Sequence, residues 1–163
     1  MGVVSQRGFT LIEILVVLVI IGIMVGLVSV RMMPEDAERL RTEAERLALL
    51  LEQTRDQAVV SGEPIGFSVE QGHYRFWLRD AENLWVPLSG DDLLRQRPLA
   101  AGVQLASLQV NQVPLAEGDR LLFLPTGSND PFTADLALNA AHARIRGDRL
   151  GRVSIELPQG VIE

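Results

Sequence analysis

The sequence has 163 residues, which suffice for one globular domain with an additional segment and are too few for two large domains. All 15 cationic residues are arginine, and 21 acidic residues leave a net charge of −6, which argues against a general polyanion binder because such binding depends on neutralising phosphates. The absence of cysteine excludes disulfide frameworks, thiolate metal sites and cysteine nucleophiles.

An apolar run begins after a short polar segment at the N-terminus. Residues 9–30 contain a single charge, Glu13, and as a helix they would measure roughly 33 Å, close to the thickness of the hydrocarbon core of a bilayer. The run ends without the small-residue cleavage site of a secretory signal peptide, so we expect it to be retained. The sequence therefore predicts a transmembrane helix at residues 9–30.

The next segment has a helical period. Small or apolar residues recur three or four positions apart with charged residues between them, which predicts an amphipathic continuation of the helix over residues 31–61. Pro34 should kink or loosen this helix near its start, and Gly62 should end it after Ser61. The repeated positions are Ala37, Leu40, Ala44, Leu47, Leu51, Thr54 and Ala58.

After Gly62 the apolar period changes to two, which is typical of β-strands. Alternation within residues 65–69 and 74–78 predicts a hairpin, and a shift of the apolar frame between Leu105 and Leu108 predicts a bulge. The last hairpin should direct Ile145, Val153, Ile155 and Leu157 inward. Further strands are predicted at residues 84–88, 103–110, 121–124, 135–138, 143–146 and 152–157, and loops at 89–98 and 111–119.

These elements together predict an α+β fold. A long N-terminal helix, membrane-spanning in its first half and amphipathic in its second, should pack on an antiparallel β-sheet domain at residues 62–163. The stripe from Ala37 to Ala58 is the expected cover for the apolar face of the sheet.

The residues around the start of the apolar run resemble the processing site of the type IV pilin superfamily. The string Arg7-Gly8-Phe9-Thr10-Leu11-Ile12-Glu13 combines a basic residue and glycine, an aromatic residue, and a glutamate four places later. In that superfamily a prepilin peptidase cuts after the glycine and the new N-terminal Phe is methylated. The resemblance implies a leader peptide at residues 1–8, cleavage between Gly8 and Phe9, and N-methylation of Phe9.

Two later strings resemble landmarks of one branch of this superfamily, which contains the H-type minor pseudopilins of type II secretion systems and related minor pilins of type IV pili. The first landmark is Phe123-Leu124-Pro125-Thr126-Gly127 and the second is Gly151-Arg152-Val153. The family residues within them are Phe123, Pro125, Gly127, Gly151 and Arg152.

This resemblance implies a pilin-like fold and a structural subunit, without enzymatic activity, near the tip of a secretion pseudopilus that supports export of folded proteins across the outer membrane. The implied partners are other minor pseudopilins, the major pseudopilin, the prepilin peptidase and the inner-membrane secretion platform. The implied location is the inner membrane, with a single membrane pass and the C-terminal domain in the periplasm.

Glu13 places a carboxylate inside the apolar run, about one turn from its start, where a charge needs a partner. Cleavage after Gly8 would create an ammonium group at Phe9, so Glu13 could pair with its own terminus or with that of a neighbouring subunit. The resemblance implies that the intermolecular pair guides assembly. The alternative is a side chain that extends to the lipid head groups.

Gly22 and Gly26 form a G-x-x-x-G string within the same run, a spacing that permits close approach of two helices. We expect contacts with neighbouring subunits there. The alternative is that these glycines, with Pro34, allow the helix to loosen when it leaves the bilayer.

No catalytic or metal-binding pattern is found in the sequence. His73 and His142 lie on separate strand segments outside any H-E-x-x-H string, and the polar clusters at residues 89–92 and 128–131 are more typical of turns than of calcium sites. Trp77 and Trp85 fit an interface or a core equally well. We expect no enzymatic activity, no cofactor and no metal.

The one basic concentration of the sequence lies near the last hairpin. Alternation places Arg144 and Arg146 on one face, and Arg149 and Arg152 follow. A related branch of minor pilins binds DNA through a basic C-terminal region, so the alternative function is a type IV minor pilin that binds DNA for uptake. The acidic balance of the chain and Ser154, at the place of a further Arg, favour a solvated face or an acidic protein partner over nucleic acid.

Overall fold

The computed structural model describes residues 11–88, 90, 92–116 and 118–157, with the side chains of all these except residues 25–34. Contacts divide the chain into two units, Met1–Glu35 and Asp36–Glu163. The predicted leader and the junction between Gly8 and Phe9 lie outside the described residues.

One α-helix, α1 (Leu11–Ser61), begins in the first unit and ends in the second, and its assigned residues include Pro34. The predicted end is confirmed, because Gly62 follows with a φ of 72° and donates its N–H to the carbonyl of Ala58 at 3.1 Å. Among the residues whose side chains the structure describes, no helix is both long enough and apolar enough to span a bilayer.

The amphipathic stripe of α1 lies in the second unit and is buried against the sheets. Leu40, Ala44, Leu47, Leu51 and Ala58 are almost inaccessible, as is Thr54, whose hydroxyl donates to the carbonyl of Leu50. The first member of the predicted stripe, Ala37, is exposed instead. The buried face also includes Glu43, Ala48 and Leu50, so it is wider than the predicted stripe.

The strands form two antiparallel sheets, where the sequence predicted one. The first sheet has the order β3-β2-β1-β7 with β4 also paired to β2, and the second has the order β10-β9-β8-β5-β6. The strands are β1 (Ile65–Glu70), β2 (His73–Arg79), β3 (Trp85–Pro87), β4 (Arg97–Pro98), β5 (Gln104–Val110), β6 (Val113–Pro114), β7 (Leu121–Phe123), β8 (Phe132–Leu138), β9 (Ala141–Gly147) and β10 (Val153–Glu156).

Most predicted strands are confirmed, and the bulge in β5 is found as a register shift between Leu105 and Ser107. Two predicted loops are wrong in part, because each contains a two-residue strand, β4 or β6, that pairs with a longer strand. In the last hairpin Ile145 is buried and Val153 and Ile155 pack partly against the core, but Leu157 is exposed because the edge strand β10 ends at Glu156.

Both sheets and α1 share one hydrophobic core within the second unit. The first sheet contributes Phe67, Tyr74 and Phe76, whose ring centroids lie between 5.5 and 6.4 Å apart. Phe123 of the first sheet meets Phe132 of the second edge-on at 6.1 Å. This aromatic contact links the two sheets at the point where the chain passes from β7 to β8.

Candidate functional site

The described N-terminal side chains of α1, residues 11–24, form an exposed and almost entirely apolar surface. Their large apolar residues range from 46% exposed at Val17 to 85% at Leu11. Glu13 lies in the first turn of α1 and is also exposed, where the positive end of the helix dipole favours a carboxylate. The described side chains of residues 11–24 therefore present a continuous apolar surface with one acidic group, Glu13, near its start.

The predicted G-x-x-x-G string falls only partly among the described side chains. A Cβ added to Gly22 would meet no described atom within 4 Å, so packing within the chain does not require glycine at this position. The surroundings of Gly26 and Pro34 lie outside what the structure describes.

The first landmark lies at the end of β7 and in the loop that follows. Phe123 is buried and pairs with Ile65 of β1, and Gly127 closes a turn by donating its N–H to the carbonyl of Leu124 at 3.0 Å. Gly127 has a φ of 74°, which disfavours residues with a side chain. Its position is also close to α1, because an added Cβ would lie 3.4 Å from Val59 Cγ2.

The second landmark lies between β9 and β10 and also meets α1. Gly151 is buried with a φ of 74°, and an added Cβ would overlap the Cδ of Arg55. Arg55 Nη1 donates to the carbonyl oxygens of Leu150 and Gly151, at 3.3 and 3.1 Å. Glu52 Oε1 accepts the backbone N–H of Val153 at 3.2 Å. Because Gly151 has no side chain, it leaves room for Arg55, whose hydrogen bonds hold the turn between β9 and β10 against α1.

Asn129, which the sequence placed in a turn, connects the first landmark to the turn that precedes the second. It is 4% exposed, its Oδ1 accepts the N–H of Leu124 at 3.0 Å, and its own N–H donates to the carbonyl of Arg149 at 3.3 Å. The structure therefore brings both landmarks to the last turns of α1. Arg152 differs from the others, because its side chain is 75% exposed and pairs with Asp148.

Most of the arginines in and near the last hairpin are paired with acidic residues. Arg144 and Arg146 lie on one exposed face, as predicted. Arg144 contacts Asp135 at 2.6 Å and Arg146 contacts Glu156 at 3.1 Å. With the pair between Arg152 and Asp148 at 3.1 Å, three of the four arginines hold a carboxylate, so this surface has little unpaired positive charge to offer a polyanion.

Asp135 is the best-connected carboxylate of this face. Its oxygens accept from Arg144 Nε and Nη2 at 2.6 and 3.2 Å and from Ser107 Oγ at 2.8 Å. The hydrogen bond from Arg144 is the main cause that lowers the pKa of the Asp135 carboxyl below its ordinary value of 3.8, against the opposing effect of partial burial.

Asp135→Asn should therefore lower the free energy of unfolding at neutral pH, by up to about 1 kcal/mol. A lowered pKa in the folded state contributes stability above the ordinary pKa and loses it as the pH falls through the lowered pKa, so the difference between the two proteins should shrink in acid. Thermal unfolding from neutral pH downward measures this. Arg144→Gln should show the same trend, and a difference that stays constant with pH would contradict the assignment.

The histidines and tryptophans considered in the sequence lie apart from the two landmarks and from the charged face of the last hairpin. His142 is exposed on β9, and His73 is half-buried on β2 with its Nδ1 3.1 Å from the carbonyl oxygen of Gln71. Trp77 is 9% exposed and Trp85 is half-buried. Within the described part of the chain, no group of three or more His, Asp or Glu is arranged to hold a metal ion.

Comparison with known proteins gives matches over both units. Residues 43–151 match the family model described as type II transport protein GspH, and residues 4–29 match the prokaryotic N-terminal methylation motif. Type II secretion system protein H of Pseudomonas aeruginosa is 31% identical over 93% of this chain and 97% of that protein. The protein of the same name from Aeromonas hydrophila is 27% identical over 92% and 93%.

The fold is also similar to that of solved structures. The minor pseudopilin EpsH from the type II secretion system of Vibrio cholerae superposes with a TM-score of 0.62 at 19% identity, over 74% of this chain and 98% of that one. The predicted α+β, pilin-like architecture is thus confirmed, with two sheets in place of one.

Proposed function

We propose a function from one premise: the chain belongs to the GspH family of type II transport proteins. It is a minor pseudopilin, a structural subunit of the type II secretion system that supports export of folded proteins across the outer membrane. The observation that carries this conclusion is the 31% identity to a type II secretion system protein H over nearly the whole of both chains. We assign it a structural role without enzymatic activity, near the tip of the pseudopilus.

The division of the chain follows from this role. The methylation motif at residues 4–29 supports a leader peptide at residues 1–8 and a mature terminus at Phe9. Residues 9–30 would anchor the protein in the inner membrane with a single pass, residues 31–61 would continue the helix, and residues 62–163 would form the periplasmic β domain. The prepilin peptidase and the inner-membrane secretion platform are the partners for processing and insertion.

Assembly would use the exposed surface of the first unit. Apolar side chains at residues 11–24 are stable in lipid, and after leaving it they need cover from the helices of other minor pseudopilins and of the major pseudopilin. Glu13 would pair with the ammonium group of Phe9 on a neighbour, because a carboxylate in apolar surroundings requires an opposite charge. Gly22 and Gly26 would allow close approach of the helices, and Pro34 would let α1 adapt near the membrane surface.

The alternative, a minor pilin that binds DNA for uptake, is disfavoured on two grounds. The relatives that match over more than nine-tenths of the chain are named as type II secretion proteins. Three of the four arginines that suggested DNA binding, Arg144, Arg146 and Arg152, are paired with carboxylates, those of Asp135, Glu156 and Asp148 respectively.

The function is tested first by processing. Mass spectrometry of protein extracted from cells with an active prepilin peptidase should show a terminus at Phe9 carrying one methyl group. Gly8→Val, which places a branched side chain at the cleaved bond, should retain Met1 and serve as the unprocessed control. A wild-type protein that keeps Met1 in such cells would remove the basis for assigning a pseudopilin role.

Glu13→Ala should leave processing intact and lower incorporation into the pseudopilus at least about tenfold, because it removes the partner of the neighbouring ammonium group. Crosslinking to the major pseudopilin and secretion of an exported enzyme measure the effect. Ile14→Ala, which keeps the carboxylate and shortens the adjacent side chain, is the matched control. Normal incorporation of the Glu13 variant would instead favour a glutamate that extends to the lipid head groups.

A further inference from the structure

The face of the first sheet opposite its core aromatics carries a stack of arginine and tryptophan side chains, here called the Arg–Trp ladder (Arg79, Trp85, Arg120 and Trp77). The Cζ atom of Arg79 lies 4.8 Å from the ring centroid of Trp85. The Cζ atom of Arg120 lies 4.2 Å from the ring of Trp77 and 5.6 Å from that of Trp85. Two strands, β2 and β3, and Arg120, the residue before β7, thus place their side chains in one contact series.

The neighbours of the ladder hold it in a fixed arrangement. Gly66 on β1 lies beneath it, and an added Cβ there would be 2.9 Å from Arg120 Cδ and 3.3 Å from the ring of Trp85. Trp77 Nε1 donates to the hydroxyl of Ser68 at 2.9 Å. A glycine at this position therefore makes room for the guanidinium of Arg120 to cross β1, and the buried hydrogen bond orients the Trp77 ring.

The two arginines of the ladder keep most of their hydrogen-bonding capacity. Arg79 Nη1 donates to Asn83 Oδ1 at 2.6 Å, and Arg120 Nη1 donates to the carbonyl of Gly118 at 3.3 Å. Both acceptors are neutral, and among the described residues neither arginine forms an ion pair, whereas Arg75 on the same face pairs with Glu70 at 3.5 Å. Two guanidinium groups are thus oriented on aromatic rings with charge that the described chain leaves uncompensated.

We propose that the Arg–Trp ladder binds a carboxylate-bearing segment of another protein. Its Asp or Glu side chains would accept hydrogen bonds from the unused N–H groups of Arg79, which is exposed, and from the terminal N–H groups of Arg120, whose Nε is buried. Planar guanidinium groups match carboxylates in a bidentate geometry, and their fixed orientation lowers the entropy that binding would otherwise cost. The proposal rests on the folded second unit alone and does not depend on the pseudopilin role.

The surroundings favour an acidic protein segment over nucleic acid. Guanidinium groups already lie against the tryptophan rings, which reduces the ring surface available for stacking by bases. Asp80 and Asp119 are the chain neighbours of the two arginines, and the whole protein carries a net charge of −6. A phosphate backbone has a charge at every nucleotide and would meet these acids, whereas a short segment can direct one or two carboxylates at the arginines alone.

The test uses the full chain in detergent and a short labelled peptide that carries two glutamates, with affinity measured by fluorescence anisotropy. Trp77 and Trp85 are the two tryptophans of the sequence, so tryptophan emission reports on the ladder directly. We expect saturable binding with a change in this emission, and no binding of the same peptide with glutamine at each glutamate. Arg79→Gln/Arg120→Gln should weaken binding about tenfold.

The matched control is Arg95→Gln/Arg149→Gln, which removes the same charge from two exposed arginines outside the ladder and should change affinity by less than about twofold. Equal weakening by both double variants, or binding without a change in tryptophan emission, would overturn the proposal. Tighter, ladder-dependent binding of single-stranded DNA would overturn it in favour of a nucleic-acid surface. Should the ladder variant fail to fold by circular dichroism, Arg79→Gln alone should weaken peptide binding about threefold, and an unchanged affinity would overturn the proposal.

Discussion

Gly147→Ala should lower the free energy of unfolding of the second unit by at least about 2 kcal/mol. Gly147 ends β9 and pairs with Phe132 of β8, and the Phe132 ring lies over it, so that an added Cβ would overlap the ring carbons. Phe132 is only 4% exposed and packs edge-on against Phe123. The ring can move away only by disturbing the contact that links the two sheets.

A double-mutant cycle tests this cause directly. Phe132→Leu should destabilise the protein by opening a cavity, and adding Gly147→Ala to it should cost at least about 1 kcal/mol less than in the wild type, because the overlapping ring is gone. Denaturant unfolding followed by circular dichroism gives all four free energies. Strictly additive effects would show that overlap with the Phe132 ring is not the reason why alanine destabilises the protein at position 147.

Leu47→Ala should lower the free energy of unfolding by about 3 kcal/mol, because Leu47 is 0% exposed in the centre of the α1 stripe. The matched control is Leu49→Ala, two positions away on the same helix, where the side chain is 61% exposed and the expected loss is below about 0.5 kcal/mol. The two substitutions remove the same atoms from a residue of the same helix propensity, so that only burial differs.

Thermal unfolding provides the measurement, with a shift of about 3 °C in Tm for each kcal/mol. Similar shifts for both variants would contradict the packing of α1 on the sheets.

Periodicity predicted the parts of the fold where burial repeats along the chain. The stripe from Leu40 to Ala58 is buried, and the hairpin of β1 and β2 directs Phe67, Tyr74 and Phe76 into the core, because periods of 3.6 and 2 follow from backbone geometry alone. The burial of Glu43 was not predicted, since a glutamate side chain is expected to be exposed to water. It is 4% exposed and pairs with Arg46 at 2.7 Å, and that arrangement depends on the sheet packed above it.

The two predicted hairpins are found, but pairing between strands that are distant in the sequence was not predicted, because local periodicity does not show which strands become neighbours. A two-residue strand such as Arg97–Pro98 has no period of its own, and it forms because His73 and Tyr74 lie opposite. The same limit applies to the charged face of the last hairpin. Alternation placed Arg144 correctly, but the register that brings Asp135 opposite to it comes from the fold.

The candidate site, too, was predicted only in part. The two landmarks were recognised as strings. Their contacts with α1 could not be predicted, because Glu52 and Arg55 are far in sequence from the second landmark, and Asn129 belongs to neither landmark. The Arg–Trp ladder carried no sequence signal either, since its members come from β2, β3 and the residue before β7, which are separated in the sequence.

The bonds between α1 and the last turn also affect the order of folding. They join residues 96 and 101 positions apart, from Arg55 to Gly151 and from Glu52 to Val153. Contacts of such high sequence separation form late, because the loop between them must close before the contact contributes any stability. During synthesis α1 is complete while β9 and β10 are still unmade, so a growing chain holds part of its apolar stripe uncovered and open to aggregation until the final hairpin is added.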